Sequence, residues 1–409
     1  MTATQIEQAW GTGPSPRYES LAARFRPLFE RIRANAVERE RSRTLPHAEI
    51  GWLKEAGFTA VRLPEAEGGA GASLPEFFNL LIELSAADSN LTQALRAHFG
   101  FVEEILHTDV PGRREIWLPR LARGETAGSA RSEAGDAAQA AFETTLRRHD
   151  DHWRIAGRKF YTTGSLYAEW IHVATTRVED GGSVTAVVRR DAPGVQVVDD
   201  WDGFGQTLTA SGTTLFDEVD VQDADLVEDA SIFGYTLPFY QLVHLSTLAG
   251  IARAAARDVA EAVARRQRSY SHAAGPLPRL DPQVLQVVGR VRGAAYAAGA
   301  IVTKAAEAVE RAANSGDGKA ALDPAALAVA ELESAQSVSV VTDLVFNATT
   351  VLFDALGASA TLRSAGLDRH WRNARTLASH NPRIYKDRIV GDFAVNGTLP
   401  PQSWRIGRV

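Results

Sequence analysis

The chain has 409 residues, of which 45% are hydrophobic and 23% charged, a composition typical of a soluble globular protein with two or three domains. Its net charge of −6 offers no electrostatic basis for binding nucleic acid or an anionic membrane. The absence of cysteine excludes disulfides, thiolate nucleophiles and cysteine-ligated metal sites. The polar N-terminus is unlike a secretory signal, and no apolar run approaches the roughly 18–20 residues of a membrane span. We therefore expect a cytoplasmic protein.

The first 123 residues carry the pattern of helices. Apolar residues recur at helical spacing from about Tyr18 to Arg43, and a second helix is predicted from Pro46 to Ala56. A glycine-rich turn then leads to Ser73, a residue type that caps helix N-termini, ahead of a segment rich in phenylalanine and leucine. These patterns predict an N-terminal α-helical domain over residues 1–123.

From about Gly124 to Asp225 the sequence changes to short β-branched runs between glycine and aspartate turns, which predicts a small antiparallel β-domain or barrel. Long alanine-rich helices return after Phe233. The longest are predicted over residues 242–268, over residues 282–313, and from the Asp323-Pro324 start signal to about residue 356. We assign residues 124–231 to a central β-barrel-like domain and residues 232–409 to a C-terminal four-helix bundle. The predicted fold class is α+β.

Several common site signatures are missing from the sequence. The pair Gly203-Phe-Gly205 lacks the third glycine of a dinucleotide fingerprint, and there is no P-loop. The ten histidines form neither His-Glu-x-x-His nor another convincing metal-ligand spacing, and no Gly-x-Ser-x-Gly elbow occurs. The sequence thus argues against a Rossmann enzyme, a metal-dependent hydrolase and a serine hydrolase. No metal site is predicted.

Three short motifs occur in order along the chain. The first is the turn Leu63-Pro-Glu-x-x-Gly-Gly-Ala-Gly71, the second is Ser129-Ala-Arg-Ser-Glu133, and the third is Gly157-x-Lys-x-Tyr-Thr-Thr-Gly164. Together with the helix–β–helix order, these motifs resemble the acyl-CoA dehydrogenase superfamily over nearly the whole chain. The resemblance implies a flavin lying between the β-domain and the C-terminal bundle.

Two positions distinguish the chain from the dehydrogenases of that superfamily, which need a carboxylate to abstract the substrate α-proton. The counterparts here fall near Val243 and His244 and within Arg375–Pro382, and neither offers Glu or Asp. Instead, Thr376-Leu-Ala-Ser-His-Asn-Pro382 and the segment from Trp201 to Thr213 resemble the flavin-dependent monooxygenase branch. That branch includes the dibenzothiophene monooxygenases and a group associated with dimethylsulfone use.

The resemblance to monooxygenases implies catalytic roles for three side chains. Reduced flavin reacts with O₂ to give a C4a-hydroperoxide, which needs a dry pocket, a hydroxyl near flavin N5 and an imidazole near the peroxide. Thr163 takes the N5 position, with Thr162 as the neighbouring alternative. His380 lies beside the isoalloxazine ring, and we expect His98 to face the same cavity. A histidine on the helix surface is the alternative for His98.

The resemblance also implies a flavin-binding set. Serines and a glutamate match the strand that binds the pyrimidine ring, a tyrosine packs on the isoalloxazine, and either of two arginines reaches a phosphate of the neighbouring subunit's flavin. A serine in the turn Gly357–Ser359 is a second candidate for phosphate binding. The full set is Ser129, Ser132, Glu133, Tyr161, Thr162, Thr163, Arg266, Arg268, Ser359 and His380.

Aromatic residues cluster in the sequence where the β-domain gives way to the bundle. We predict that Trp201, Phe204, Tyr235 and Phe239 line a substrate pocket, with a place in the hydrophobic core as the alternative. A pocket lined in this way suits a small apolar substrate.

The function predicted from these observations is that of a two-component flavin-dependent monooxygenase. It would use reduced FMN, with FAD as the alternative cofactor, to insert one oxygen atom of O₂ at a sulfur, a nitrogen or an aromatic carbon. A separate flavin reductase is implied as partner because the chain has no NAD(P)H site of its own. The resemblance further implies a homotetramer. The alternatives are a flavin dehydrogenase with an unrecognised base and a non-catalytic helical scaffold.

Overall fold

A computed structural model describes residues 9–133, 142–228, 233–316 and 322–401. Helices lie before and after a central sheet, which confirms the predicted α+β architecture. The helices of the N-terminal domain are α1 (Tyr18–Ala34), α2 (Ala36–Arg41), α3 (His47–Glu55), α4 (Leu74–Ala94), α5 (Arg96–His107) and α6 (Arg113–Ala122).

The α4 helix is the central element of the N-terminal domain. It begins with the predicted cap: Ser73 Oγ accepts a hydrogen bond from Glu76 N at 3.3 Å, and Glu76 Oε2 accepts one from Ser73 N at 2.9 Å. Nearly all of its residues are buried because it packs against α1 on one side and the C-terminal bundle on the other. The helix bends at Asp88, whose φ of −158° is non-helical, and ends at Ala94 beside the candidate site.

An eight-stranded sheet follows. Its strands are β1 (Ala127–Ala130), β2 (Thr145–His149), β3 (His152–Lys159), β4 (Trp170–Arg177), β5 (Ser183–Arg189), β6 (Val195–Val197), β7 (Thr214–Val221) and β8 (Leu226–Glu228). Their spatial order is β6-β7-β3-β2-β4-β5-β8, and β1 pairs with β4 outside this path. The β1–β4 and β2–β4 pairs are parallel, so the sheet is mixed rather than wholly antiparallel as predicted. The cause is the segment 160–169, which passes around β2 to reach the start of β4.

The C-terminal part is a bundle of long helices. They are α7 (Thr236–Arg265), α8 (Pro282–Ala313), α9 (Pro324–Val351), α10 (Asp368–Ala378) and α11 (Ile384–Asn396). The predicted Asp323 start signal is confirmed, since its carboxylate accepts from Ala325 N at 3.0 Å. The α7 helix starts earlier than predicted and includes Pro238, which is tolerated because N–H groups in a first helical turn need no intrahelical partner.

The bundle helices bury alanine- and valine-rich faces against one another and against α4. The segment Pro324–Ala355 is long and apolar enough to cross a membrane by length and composition, with a mean hydropathy of 1.4 over its best window. Because 44% of that window is buried, the segment also fits a core helix of the bundle. The predicted domain boundary between residues 231 and 232 lies outside the described residues.

Candidate active site

The loop after β3 brings Thr162 and Thr163 to a tightly packed corner. Thr162 is fully buried, and its hydroxyl donates to the Gly212 carbonyl at 2.9 Å. Gly164 has a φ of +80°, and a Cβ there would lie 2.0 Å from the carbonyl oxygen of Ala94 at the end of α4. Glycine is therefore required at this position. Thr162 anchors the loop, and the half-buried Thr163 is the better of the two candidates for contacting a cofactor.

The Thr163 hydroxyl belongs to a chain of three hydroxyl groups. Its Oγ1 lies 2.7 Å from Ser211 Oγ, which lies 2.7 Å from Thr209 Oγ1. Thr209 donates its only hydroxyl proton to the Gln206 carbonyl at 2.9 Å. Because each hydroxyl has one proton, Ser211 must then donate to Thr209, and Thr163 must donate to Ser211. The chain leaves the lone pairs of Thr163 Oγ1 free to accept a proton donor.

The end of β1 runs beside this loop. Ser129 N donates to the Thr163 carbonyl at 3.4 Å, and the Ser165 hydroxyl donates to the Ser129 carbonyl at 3.1 Å. Further along, Phe160 N donates to the Ser132 carbonyl at 3.0 Å. The structure therefore brings the second and third sequence motifs together as one edge of the β-domain.

Glu133, predicted to bind the flavin, uses its carboxylate inside the protein. It accepts from buried Lys159 Nζ at 2.7 Å, from the N–H and hydroxyl of Thr144 at 2.9 and 2.7 Å, and from Glu143 N at 2.8 Å. Burial opposes ionisation, but these donors bring the pKa of Glu133 below its usual value. The Glu133 side chain thus fastens the β2–β3 hairpin to the end of β1. The predicted contact of this strand with the flavin runs through backbone and hydroxyl groups, so for Glu133 it stays a prediction for the backbone.

Aromatic side chains surround the mouth of the same loop. Tyr161 is exposed and has a φ of +62°, a strained conformation for a bulky residue. Its ring centroid lies 4.6 Å from that of Phe160 and 6.0 Å from that of Trp201. Phe204 is also exposed and stacks on Trp371 at 6.0 Å. Tyr161 and Phe204 are thus exposed and Trp201 partly exposed, and their contacts with flavin or substrate stay predictions.

The other two predicted lining residues lie elsewhere. Tyr235 and Phe239 are 1% and 0% exposed and pack with Phe233 in the core between α4 and α7. The Tyr235 hydroxyl lies 2.5 Å from Glu103 Oε2 and donates to it. We correct the prediction for this pair: they are core residues, since their rings have no accessible face and the tyrosine hydroxyl is satisfied internally.

A second group of polar side chains surrounds His380, which follows α10. The His380 ring centroid lies 4.4 Å from that of His244 on α7. One turn earlier on α7 is Tyr240, whose ring lies 4.4 Å from the guanidinium carbon of Arg96 at the start of α5. A Cβ at Gly100 would fall 1.9 Å from the Tyr240 hydroxyl, so a glycine lets α5 and α7 approach this closely. We call Arg96, Tyr240, His244 and His380 the Arg96–His380 group.

The two histidines of this group are neutral at physiological pH. His380 is accessible to solvent, yet it lies in a recess surrounded by protein, and this desolvation together with Arg96 lowers its pKa to about 4. Burial, His380 and Arg96 also lower the pKa of His244 well below its usual value. His380 Nδ1 lies 3.2 Å from Asn381 Oδ1, and the Asn381 amide donates to Gln241 at 3.1 Å. Nδ1 of His380 therefore carries the proton, which leaves Nε2 with a free lone pair.

The end of β1 comes near the Arg96–His380 group through Arg131. Arg131, two residues after Ser129, is close enough to act on Tyr240: burial raises the pKa of that tyrosine, and Arg96 and Arg131 oppose the rise. The site therefore combines a hydroxyl acceptor from the β-domain with an arginine and two neutral imidazoles from the helices.

His98 was expected to face the same cavity, and the structure corrects this. Its ring is 1% exposed. Nε2 lies 2.9 Å from the Thr59 carbonyl, and Nδ1 accepts from Ala127 N at 3.4 Å. Burial lowers its pKa to about 4, so the neutral ring joins two backbone segments and has no nitrogen left for a ligand.

The predicted phosphate-binding residues form a separate cluster on the bundle. Arg266 donates to the Leu356 carbonyl and lies next to Gly357, so the arginine segment and the turn that carries Ser359 are neighbours rather than alternatives. Arg268 and Ser359 are exposed. Among the described residues, no hydrogen bond joins this cluster to Thr163 or His380.

The sequence did not predict that Arg96 and His244 lie near His380. His244 was noted only as the residue that replaces a dehydrogenase carboxylate, although its spacing of four from Tyr240 places both on one face of α7. Arg96 gave no signal, because a single arginine at a helix start is usually solvated. Within the described residues, no group of three or more His, Asp or Glu side chains could hold a metal.

A cavity of about 500 Å³ lies elsewhere, between α1, α4, α7 and α10. Its charges are paired: Asp258 accepts from Arg369 and lies 3.0 Å from His370 Nε2. Arg39 contacts Asp88 at 2.7 Å on another wall of the same region. No residue predicted from the sequence to bind flavin or substrate lines this cavity.

Three domains of the acyl-CoA dehydrogenase family match the chain: the N-terminal domain over residues 16–125, the middle domain over 129–219 and the C-terminal domain over 242–382. The chain belongs to the acyl-CoA dehydrogenase family. The expected α+β fold of helical domain, central sheet and helical bundle is thereby confirmed.

Within that family, the similarity is to flavin-dependent monooxygenases. The chain is 26% identical over 386 residues to the probable FMNH₂-dependent monooxygenase SfnC of Pseudomonas putida, covering 93% of this chain and 95% of that one. It is similar to TdsC of Paenibacillus sp. A11-2 in complex with FMN and indole, with a TM-score of 0.86, 28% identity and coverage of 95% and 99%. It is also similar to the methanesulfinate monooxygenase MsuC of Pseudomonas fluorescens, with a TM-score of 0.85, 25% identity and coverage of 95% and 99%.

Proposed function

We propose that this protein is the oxygenase component of a two-component flavin-dependent monooxygenase. It takes FMNH₂ from a separate flavin reductase and transfers one oxygen atom of O₂ to a small sulfur-containing, nitrogen-containing or aromatic substrate. SfnC is named as FMNH₂-dependent, and TdsC was solved with FMN and indole. These relatives support the oxygenase assignment and favour FMN over FAD.

The observation that carries the proposal is the pair of neutral imidazoles at the positions where a dehydrogenase needs a carboxylate. His244 and His380 are 4.4 Å apart, and among the described residues no carboxylate is hydrogen-bonded to either ring. The Nε2 lone pair of His380 can instead accept a hydrogen bond from a protonated reacting oxygen.

The β-domain edge fits the flavin ring. Reduced flavin carries a proton on N5, and Thr163 Oγ1 offers the acceptor that this N–H needs, because its own proton is donated to Ser211. The backbone of Ser129–Ser132 and the exposed ring of Tyr161 lie beside it for the pyrimidine and isoalloxazine. When bound, the flavin supplies the activation of O₂. The chain's own residues hold the ring, exclude water and keep a proton near His380.

The flavin phosphate is proposed to bind at Arg266, Arg268 and Ser359, where the guanidinium of Arg266 lies beside the turn Gly357–Ser359. An arginine fork suits a phosphate. Since this cluster has no described contact with the recess of its own chain, we propose that it serves the flavin of a neighbouring subunit. The His380 recess would then be completed only in the assembled protein.

A homotetramer is part of the proposal. No residue of α11 is buried in the single chain, and Ile384, Tyr385 and Val395 are 68%, 54% and 81% exposed. Exposed apolar side chains also occur on α8 and α9, including Leu285, Tyr296 and Val340. The α11 helix packs on α9, yet its exposed apolar side chains favour a further partner that covers them. Light scattering should give the mass of four chains, and a monomeric wild-type protein would contradict the proposed homotetramer.

The test of the proposed function is a coupled assay. Purified protein, a flavin reductase, NADH and FMN are incubated in air with indole or an organic sulfide, and oxygenated product is measured by mass spectrometry. Product should require the protein, the reductase and O₂. A protein that binds neither FMN nor FAD would contradict the proposal, and so would reduction of bound flavin by an acyl substrate without O₂.

We propose a cytoplasmic location, where the reductase has its nicotinamide substrate.

A further inference from the structure

The hydroxyl of Thr163 ends a chain of hydrogen bonds whose direction is fixed at its other end. Thr209 donates to the Gln206 carbonyl at 2.9 Å, and a carbonyl oxygen cannot donate in return. Because its one proton is used there, Thr209 accepts from Ser211 at 2.7 Å, and Ser211 accepts from Thr163 at 2.7 Å. Thr209 and Ser211 are 1% and 6% exposed, so water has little access to compete for these bonds.

The peptide of Gln206, on which the chain depends, is held from several sides. Its φ of +52° is a left-handed conformation that costs energy in a residue other than glycine. The N–H donates to Asn373 Oδ1 at 2.6 Å, and the side-chain amide donates to Ser89 Oγ at 3.0 Å. The carbonyl also accepts from Trp201 Nε1 at 3.0 Å. Contacts from α4 and α10 therefore fix the acceptor at the start of the chain.

An acceptor in front of flavin N5 distinguishes the two redox states of the ring. In oxidised flavin N5 carries a lone pair, and in reduced flavin it carries a proton. A freely rotating threonine could donate to the first or accept from the second. Thr163 has given its proton to Ser211, so it can pair with the N–H of reduced flavin but places lone pair against lone pair when the flavin is oxidised.

Resting on the proposed function, we propose that Ser211 and Thr209 are positioning residues that make the site select reduced over oxidised flavin. They act through Thr163, by accepting the proton that it would otherwise donate to oxidised N5. Such selection suits an oxygenase that takes reduced flavin from a separate reductase while oxidised flavin is also present. It also favours release of the oxidised flavin after each turnover.

A neighbouring chain of the same kind provides a matched control. Thr214 Oγ1 donates to Thr162 Oγ1 at 2.9 Å, and Thr162 donates to the Gly212 carbonyl at 2.9 Å. Both threonines are 0% exposed, so this second chain has no end that a ligand could reach. Thr214→Val removes a buried hydroxyl beside the same loop and leaves the hydrogen bond of Thr163 in place.

The test measures the dissociation constants of FMN and FMNH₂ without O₂, on the assembled protein, and takes the ratio of the first to the second. In Ser211→Ala, Thr163 can turn its proton to oxidised N5, so FMN should bind more tightly and the ratio should fall about 10-fold. Thr209→Val should lower the ratio in the same way, because Ser211 is then free to donate to Thr163. Ser211→Thr, which keeps the hydroxyl, and Thr214→Val should retain the wild-type ratio.

The reduction potential of the bound flavin is a second readout of the same selection. A 10-fold fall in the ratio lowers the two-electron potential by about 30 mV, and a purely structural role of the two hydroxyls would not move it. The shift is expected in Ser211→Ala and Thr209→Val and not in Thr214→Val.

An unchanged ratio in either Ser211→Ala or Thr209→Val overturns the proposal, since the chain needs both hydroxyls. An equal fall in Thr214→Val overturns it as well, because the effect would then come from a general loosening of the loop. Oxygenation of indole by the wild type tests the proposed function separately. If indole is oxygenated while both variants keep the wild-type ratio, the role of the hydroxyl chain fails and the oxygenase function stands.

Discussion

Two polar regions of this protein combine partly buried arginines with histidines, and they differ in one respect. Around Asp258, the charges of Arg369, Arg257 and the ring of His370 converge on a carboxylate. In the Arg96–His380 group the carboxylate is missing. The first region is a closed structural network, while the second leaves hydrogen-bonding capacity that a ligand must complete. Cavity size does not identify the region that binds a ligand, because the 500 Å³ cavity lies at the paired region around Asp258.

The largest expected effect comes from removing the carboxylate of Asp258 in the paired region. Asp258→Asn leaves two arginines without their carboxylate, so the free energy of unfolding in urea should fall by about 3–5 kcal/mol. Product yield per folded molecule should remain that of the wild type. Asp217→Asn, at an exposed aspartate of β7, should change stability by less than about 0.5 kcal/mol. Equal losses in both variants would mean that the Asp258 pairing is not structural.

Removing the His380 ring should lower product yield and leave the stability of the protein nearly unchanged. His380→Ala takes away the imidazole that holds a proton in the recess, so product per O₂ consumed should fall about 100-fold while free peroxide rises. FMN affinity and stability should change little, because the ring is accessible and packs only partly. The exposed His149 on β2 gives a matched control, His149→Ala. Unchanged product yield in His380→Ala would remove this residue from the mechanism.

Acid should destabilise the protein through its buried neutral histidines. Burial lowers the pKa values of His98 and His370 to about 4, whereas unfolded histidine titrates near 6.5. Between these values the unfolded chain binds protons that the native protein does not, so stability is complete above pH 6.5 and falls as the pH drops towards 4. Each such histidine contributes at most about 1.4 kcal/mol per pH unit. His98→Gln should reduce the slope of stability against pH, and an unchanged slope would contradict the assignment.

The smallest expected effect concerns Arg96 itself. Because this cation has no carboxylate, Arg96→Met should leave the free energy of unfolding within about 1 kcal/mol of the wild type. Arg39→Met, which strips Asp88 and Glu49 of their partner, should lose about 3 kcal/mol. An equal loss in the free energy of unfolding for Arg96→Met and Arg39→Met would show that the two arginines stabilise the fold equally.

The sequence predicted the fold well because its signals are local. The Ser73 cap, the Asp323 start signal and the change from helical to β-branched texture each follow from short-range chemistry. The mixed character of the sheet was missed, since it depends on how the segment 160–169 passes around β2.

The site was predicted only in part. The Thr163 loop, the β1 end and His380 were predicted through motifs, and the contacts of the loop and the β1 end are compatible with that prediction. Tyr235, Phe239 and His98 were misassigned, because a residue type does not reveal whether the side chain is buried and satisfied inside the protein. Arg96 and His244 were missed for the converse reason: their importance lies in partners that they lack, which only a folded structure can show.

The most direct test of the central claim is isotopic. The wild-type protein converts indole or methanesulfinate in the reductase-coupled reaction under ¹⁸O₂, and mass spectrometry measures the mass of the product. An oxygenase incorporates one ¹⁸O atom into each product molecule, and the account predicts this result. Product without ¹⁸O, or reduction of bound flavin by the organic substrate in the absence of O₂, would contradict it.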